Sequence, residues 1–134
     1  LGNFTGVEWT PPSELPDDEY PFILTTGRML EHWHTGAITR RAKVLHELEP
    51  GPTVALNPAD IERLGLHAGG DVKLTSRRGT LTAHVRADGD TPEGVTFMPF
   101  AFREAAANLL TNPALDPFGK IAEVKYCAVK VEKA

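Results

Sequence analysis

Apolar runs in this chain are short, and glycine or proline cuts off each one before it can become a long helix. Twelve glycines and eleven prolines stand in 134 residues. They punctuate the sequence at Gly27, Pro50-Gly51-Pro52, Gly65, Gly69-Gly70, Gly79, Pro99 and the Pro113 to Gly119 segment. Proline fixes φ and has no amide hydrogen, so it ends helices and is excluded from central strands. What survives between the breaks is strand-length. Tyr20 to Thr26, Thr53 to Leu56, Val72 to Ser76, Thr80 to Ala87, Val95 to Met98 and Val124 to Val131 read as six strands. In the fourth, Leu81, Ala83 and Val85 alternate with Thr82, His84 and Arg86, the pattern of a half-buried strand. In the last, Val124, Tyr126, Ala128 and Val129 are expected to contribute to the core.

Helix signals are few. Asn57-Pro58-Ala59-Asp60 is the strongest start, with Asn57 at the N-cap, Pro58 at the first helical position and Asp60 in the first turn. Ile61 and Leu64 would face inward, and Gly65 is placed to end the helix. A short helical turn within residues 37–50 and a brief helix from Ala105 to Leu110 are expected, with a loop from Asn112 to Lys120. There is no βαβ rhythm and no internal repeat. The expected fold is mainly β: a closed barrel over residues 21–134 with small helices. Residues 1–20, broken by Pro11, Pro12 and Pro16, form an irregular arm that lies over a neighbouring domain or serves as a linker.

At this length one domain can bury a core without disulfides. The single cysteine, Cys127, gives no internal pair and fits a reducing, cytoplasmic setting; its alternating strand makes it a small buried hydrophobe. No apolar run approaches the roughly 20 residues of a membrane span. A chain that begins at Leu1 reads as a piece of a longer polypeptide. The formal charge of −4 argues against nucleic acid, which needs a basic footprint. Residues 1–27 carry five acids and no base, whereas Arg28, Arg40, Arg41 and Lys43 follow with His32, His34 and His46 among them. One local basic segment in an acidic chain suits a small anionic ligand.

That segment opens with Leu24-Thr25-Thr26-Gly27-Arg28-Met29-Leu30-Glu31-His32-Trp33-His34-Thr35-Gly36. A glycine directly after a strand lets backbone amides approach a ligand, and the polar groups behind it can dock something planar and anionic. His32 and His34 on an extended segment would share a face, as a metal pair does, but a third ligand is hard to find, and solvated loop histidines are the simpler reading of the residues alone. Arg40 and Arg41 stand between a contact to phosphate or to a neighbouring domain and a solvated pair. Trp33 is placed as a ligand wall rather than core.

Three blocks carry a family resemblance: LTTGRMLEHWHTGAITRR from Leu24, LNPADIERLGLHAGGDVKLTSRRG from Leu56, and VTFMPFAFREAAANLLTNPALDPFGKIAEVKYCAVKVE from Val95. With them the chain resembles the C-terminal molybdopterin-dinucleotide-binding domain of the molybdenum/tungsten oxidoreductases, closest to the formate dehydrogenase catalytic subunit. The resemblance implies a six-stranded double-psi β-barrel of the aspartate-decarboxylase-like type that holds the guanine dinucleotide part of bis-molybdopterin guanine dinucleotide (bis-MGD). It implies cofactor contacts from Thr26, Gly27, Arg28, Met29, Leu30, Glu31, His32, Trp33, His34 and Thr35, with Asn108 and Lys125 as further contacts. Phe100 matches a position lining the substrate approach in related nitrate reductases. The Mo or W, its ligand and the catalytic groups would belong to upstream domains, and iron–sulfur clusters and electron-accepting subunits to the parent enzyme. This chain would then hold no catalytic residue and no metal ligand, and its Thr26 to Gly36 loop would be mobile when its polar groups lack partners. Two other readings stay open: the same domain from a periplasmic-type nitrate reductase, and a free-standing, non-enzymatic ligand-binding barrel.

Overall fold

The computed structural model describes residues 2–134. Six strands close into a barrel in the order β1-β5-β2-β4-β3-β6: β1 (Phe22–Gly27), β2 (Thr53–Leu56), β3 (Asp71–Thr75), β4 (Thr80–Ala87), β5 (Val95–Pro99) and β6 (Cys127–Lys133). β1 runs parallel to β5 and β2 parallel to β4, while the other neighbours are antiparallel. Closure removes the exposed sheet edges that would otherwise template aggregation. The barrel is filled by alternate residues of each strand: Phe22 and Leu24, Val54 and Leu56, Val72 and Leu74, Leu81 and Val85, Met98, Val129 and Val131 are all buried. The alternation legible in β4 therefore points Leu81, Ala83 and Val85 inward, as expected.

The last strand starts later than its apolar pattern suggests. It begins at Cys127, and Val124 and Tyr126 are only half-buried. The cause is competition for carbonyls. Thr26 Oγ1 donates to Val124 O at 2.7 Å, and Asn112 Nδ2 donates to Tyr126 O at 3.0 Å. These side chains draw residues 124–126 away from the ladder. Cys127, Ala128, Val129 and Val131 supply the core instead, and burial pushes the Cys127 thiol up to about 11. In place of a helix from Ala105 to Leu110 there are two 3-10 turns, Arg103–Ala105 and Ala107–Leu109, because Ala106 between them is extended (ψ 105°). Within 37–50 a 3-10 turn, Thr39–Arg41, precedes α1 (Lys43–Leu48).

Helix α2 (Pro58–Arg63) is capped as the sequence requires, with Asn57 Oδ1 accepting from Ala59 N at 2.9 Å and Gly65 at φ +63° just beyond its end. Its Asp60 is fully buried. One carboxylate oxygen accepts from Gly94 N at 2.7 Å and the other pairs with Arg63. The side chain thus ties α2 to the loop that launches β5. Asp60→Ala is expected to cost about 1–3 kcal/mol, since it strands the Gly94 backbone donor, while the largely exposed Arg63 turns to water. Urea unfolding checks this, and a change within experimental scatter would mean that the tie is dispensable.

The arm is docked on its own barrel over its second half. Glu14 accepts from Ala128 N at 2.6 Å and pairs with Arg77 and Arg78, Asp17 pairs with Arg77, and Ser13 N donates to Glu123. The Arg77 guanidinium also lies 4.5 Å from the Tyr20 ring centroid. The Arg78 hydrogen bond holds the Glu14 carboxyl below its ordinary range. Residues 2–11 remain exposed.

Candidate functional site

Three segments distant in sequence meet where β1 and β5 end. Their parallel pairing aligns Gly27 with Pro99, so the chain leaving each strand emerges beside the other, and Phe100 N donates to Gly27 O at 3.2 Å. The segment entering β6 closes the third side. There Lys125 Nζ donates to Thr26 O at 2.7 Å while Thr26 itself holds Val124. Between these segments lies a cleft of about 460 Å³, with Thr26, Thr35, Phe100, Phe102, Ala107 and Asn108 in its lining. Apolar faces with hydroxyl and amide groups at their margins suit a flat heterocycle that needs both stacking and in-plane hydrogen bonds.

The expected site residues divide into groups. Thr26, Thr35, Phe100 and Asn108 line this cleft. Lys125 stands at its margin, with Nζ 5.4 Å from the Phe100 ring centroid. Arg28, Trp33 and His34 form a stack leading to it: the Arg28 guanidinium is 5.2 Å from the Trp33 ring, Trp33 is 4.5 Å from His34, and His34 is 6.2 Å from Phe100. Trp33 is 62% exposed, which excludes a core role. Arg28 is exposed and makes no ion pair among the described residues, so its charge is free for an anion. Met29, Leu30 and Glu31 do not line the cleft, and Leu30 is almost fully exposed.

One expectation needs correction, and another gains a second cause. At Gly27 a Cβ would lie 2.5 Å from the Phe97 ring, so the missing side chain also makes room for an aromatic neighbour. His32 and His34 do not share a face. The segment is a series of turns, His34 adopts φ +48°, and the His32 ring is completely buried. His32 Nε2 lies 2.8 Å from Glu49 O and must carry the hydrogen there, because a carbonyl only accepts. Edge-on contact with Phe102 fixes the ring further. Its side chain acts as an internal peg for the loop. Among the described residues no group of three or more His, Cys, Asp or Glu could hold a metal ion.

That peg, with Trp33 N donating to Thr39 Oγ1 at 3.0 Å and Gly36 N to Trp33 O at 2.9 Å, gives the loop internal partners that its composition did not reveal. Sequence reading also missed Phe102 and Glu104. Arg40 forms a two-pronged pair with Glu104 at 2.9 and 2.8 Å and lies over Phe102. Hydrogen bonding to Arg40 lowers the Glu104 carboxyl from 4.5 to about 2. A carboxyl held low favours the fold only while ionised. The pair therefore contributes fully above about 4.5 and fades as the pH falls toward about 2. The stability gap between the parent and Arg40→Gln should be open at neutral pH and narrow across that window. Urea titrations at several pH values read it, and a gap independent of pH would contradict the assignment.

The barrel and its cleft define a class. Residues 22–128 match the family described as Molydopterin dinucleotide binding domain, and the chain belongs to that family. It is 51% identical over 132 residues to the F420-dependent formate dehydrogenase subunit alpha of Methanocaldococcus jannaschii, covering 98% of this chain and 20% of that protein. It is 46% identical over 134 residues to the F420-dependent formate dehydrogenase 1 subunit alpha of Methanococcus maripaludis, covering 99% of this chain and 20% of the relative. The chain thus spans about a fifth of the length of the curated relatives it matches. Acetylene hydratase from Pelobacter acetylenicus shares the fold, with a TM-score of 0.76, 22% identity, and coverage of 87% of this chain and 19% of that one. The shared fold is a closed, mainly β barrel of six strands.

Proposed function

We propose that this chain holds the guanine dinucleotide part of bis-MGD as one domain of a formate dehydrogenase alpha subunit. The observation that carries the reading is the convergence of Thr26 and Thr35 with Phe100 and Asn108 in one cleft, although the two pairs lie far apart in sequence. Membership of the dinucleotide-binding family supports the ligand class, and the two formate dehydrogenase relatives support the parent.

In this reading Phe100 covers a ring of the cofactor, with fully buried Phe102 packed behind that wall, while Thr35 and Asn108 exchange hydrogen bonds with its edge and Thr26, whose hydroxyl donates to Val124 O, shapes the cleft. Arg28, presented on the Trp33 face, takes phosphate oxygens with its planar fork. Lys125 offsets negative charge at the cleft margin while its bond to Thr26 O fixes its place. Gly27, Met29, Leu30, Glu31 and His34 contribute backbone and shape along the same loop, and buried His32 holds it in register. When bound, the cofactor supplies the redox chemistry, carried by Mo or W ligated from another domain; this chain binds, orients and excludes water. Formate oxidation to CO2, transfer through iron–sulfur clusters, F420 as the acceptor and a cytoplasmic setting are properties we assign to the parent.

Nitrate reduction by the parent and a free-standing ligand-binding barrel are the competing outcomes. Metal and pterin analysis of the full-length parent, together with paired formate and nitrate assays, separates them. Pterin with formate turnover is expected. Nitrate turnover would replace the parent, and absence of pterin would remove the reading altogether.

A further inference from the structure

Beyond Thr35 and Arg103, which line both, a second cleft adjoins the ring-sized one. Its volume is about 530 Å³, and Thr35, Gly36, Arg40, Arg41, His46 and Arg103 stand in its lining. No carboxylate is among its described lining residues. Three guanidiniums can only donate hydrogen bonds, and the hydroxyl and imidazole can add to them. Glu104 does not exhaust this set. It engages Arg40 through both terminal nitrogens, which leaves the Arg40 Nε–H buried with no acceptor in the protein.

His46 Nδ1 is likewise buried and unpartnered, and so is Nδ1 of His32, whose ring lies 6.4 Å from that of His46. Two of the four buried side-chain atoms lacking a partner among the described residues, Arg40 Nε and His46 Nδ1, therefore belong to this lining; His32 Nδ1, an acceptor because Nε2 carries the hydrogen, is not counted with them. Native structures pair almost all such groups, so their concentration in one place points to a ligand. The backbone holds the arrangement: Gly36 sits at φ +72°, and a Cβ there would meet Ala101 O at 2.7 Å and the Arg40 stem at 2.6 Å. The Arg40 side chain is thus packed against the turn, with its Nε fixed beside it.

We propose that this cleft is an oxyanion site that takes one small anion of the carboxylate or phosphate class, held by the Arg40 Nε–H and by Arg41 and Arg103. Arg28 lies outside this cleft, and although Thr35 and Arg103 also line the ring-sized cleft, the inference does not rest on the dinucleotide reading. A small carboxylate would make it a holding point for a free anion beside the ring cleft. A phosphate would make it the seat of a phosphorylated ligand.

The test is a titration of the 134-residue chain with formate, bicarbonate and inorganic phosphate in turn, at ionic strength held constant with chloride. Binding is read from the side-chain Nε–Hε resonance of Arg40 by NMR. A saturable shift is expected with at least one of the three and none with chloride alone. Response to formate and bicarbonate identifies the carboxylate source, and response to phosphate only identifies the phosphate source. Arg41→Gln and Arg103→Gln alter exposed side chains, and each should weaken the response by about tenfold. Lys130→Gln, on β6, should leave it intact. No saturable shift with any of the three anions, or shifts unchanged in both arginine variants, overturns the proposal. Nucleotide binding in the ring-sized cleft is read separately at the Asn108 side-chain amide, so either inference can fail alone.

Discussion

Gly36→Val is expected to destabilise the chain by about 3–4 kcal/mol and to abolish ligand binding at the loop. Two effects add. The residue sits at φ +72°, a conformation that a β-branched side chain strongly resists. Its Cβ would also stand 2.7 Å from the carbonyl of buried Ala101 and 2.6 Å from the Arg40 stem. A backbone carbonyl cannot rotate away as a side chain can, so the turn from His34 to Gly36 must shift. That shift would push Arg40 off Glu104 and carry Thr35 out of the cleft lining. Gly65→Ala provides the comparison. Gly65 has φ +63° but open space where a Cβ would go, so only the conformational penalty, about 1 kcal/mol, should appear. Chemical unfolding of the two variants reads the difference. Equal losses would show that the packing at Gly36 has no weight.

The double variant Arg28→Ala with Asn108→Ala should weaken binding of GDP, a probe for the guanine and pyrophosphate of the dinucleotide, by on the order of a hundredfold. Folding stability should stay near that of the parent chain. Both side chains are exposed, and Arg28 forms no ion pair among the described residues, so their removal leaves no buried group stranded. The single variants should each account for roughly half of the free-energy loss, because a charged fork and an in-plane amide address different parts of the ligand. Isothermal titration with GDP, beside a thermal melt, supplies both readouts. Unchanged affinity with an unchanged melt would remove these two residues from the site.

The barrel was legible where the chain obeys a period of two. β4 stands where its alternation puts it, β2 where its bounding turns do, and α2 is capped by the residues that announce it. Legibility failed where a side chain competes for backbone. Thr26 and Asn112 capture the carbonyls of Val124 and Tyr126, and nothing in a local window reveals partners 98 and 14 residues away. The candidate site divided along the same line. Thr26 at the strand end, Thr35 in the loop beyond it, and the distant Asn108 and Phe100 were named from the sequence, and they meet because parallel pairing of β1 with β5 brings both strand exits to one end. The contrast between His32 and His34 was invisible. It depends on Phe102 and Glu49, which reach the first ring from other parts of the chain. Gly27 also has a packing role that its setting did not reveal, since its neighbour Phe97 comes from β5.

The most direct measurement is the pterin and guanine content of the purified full-length parent carrying Arg28→Ala with Asn108→Ala, set beside the unaltered protein and Lys130→Gln. Pterin and guanine should fall together to less than half in the double variant, while the lysine variant remains fully loaded. Full and equal loading in all three proteins would contradict the claim that this loop and this cleft grip the dinucleotide.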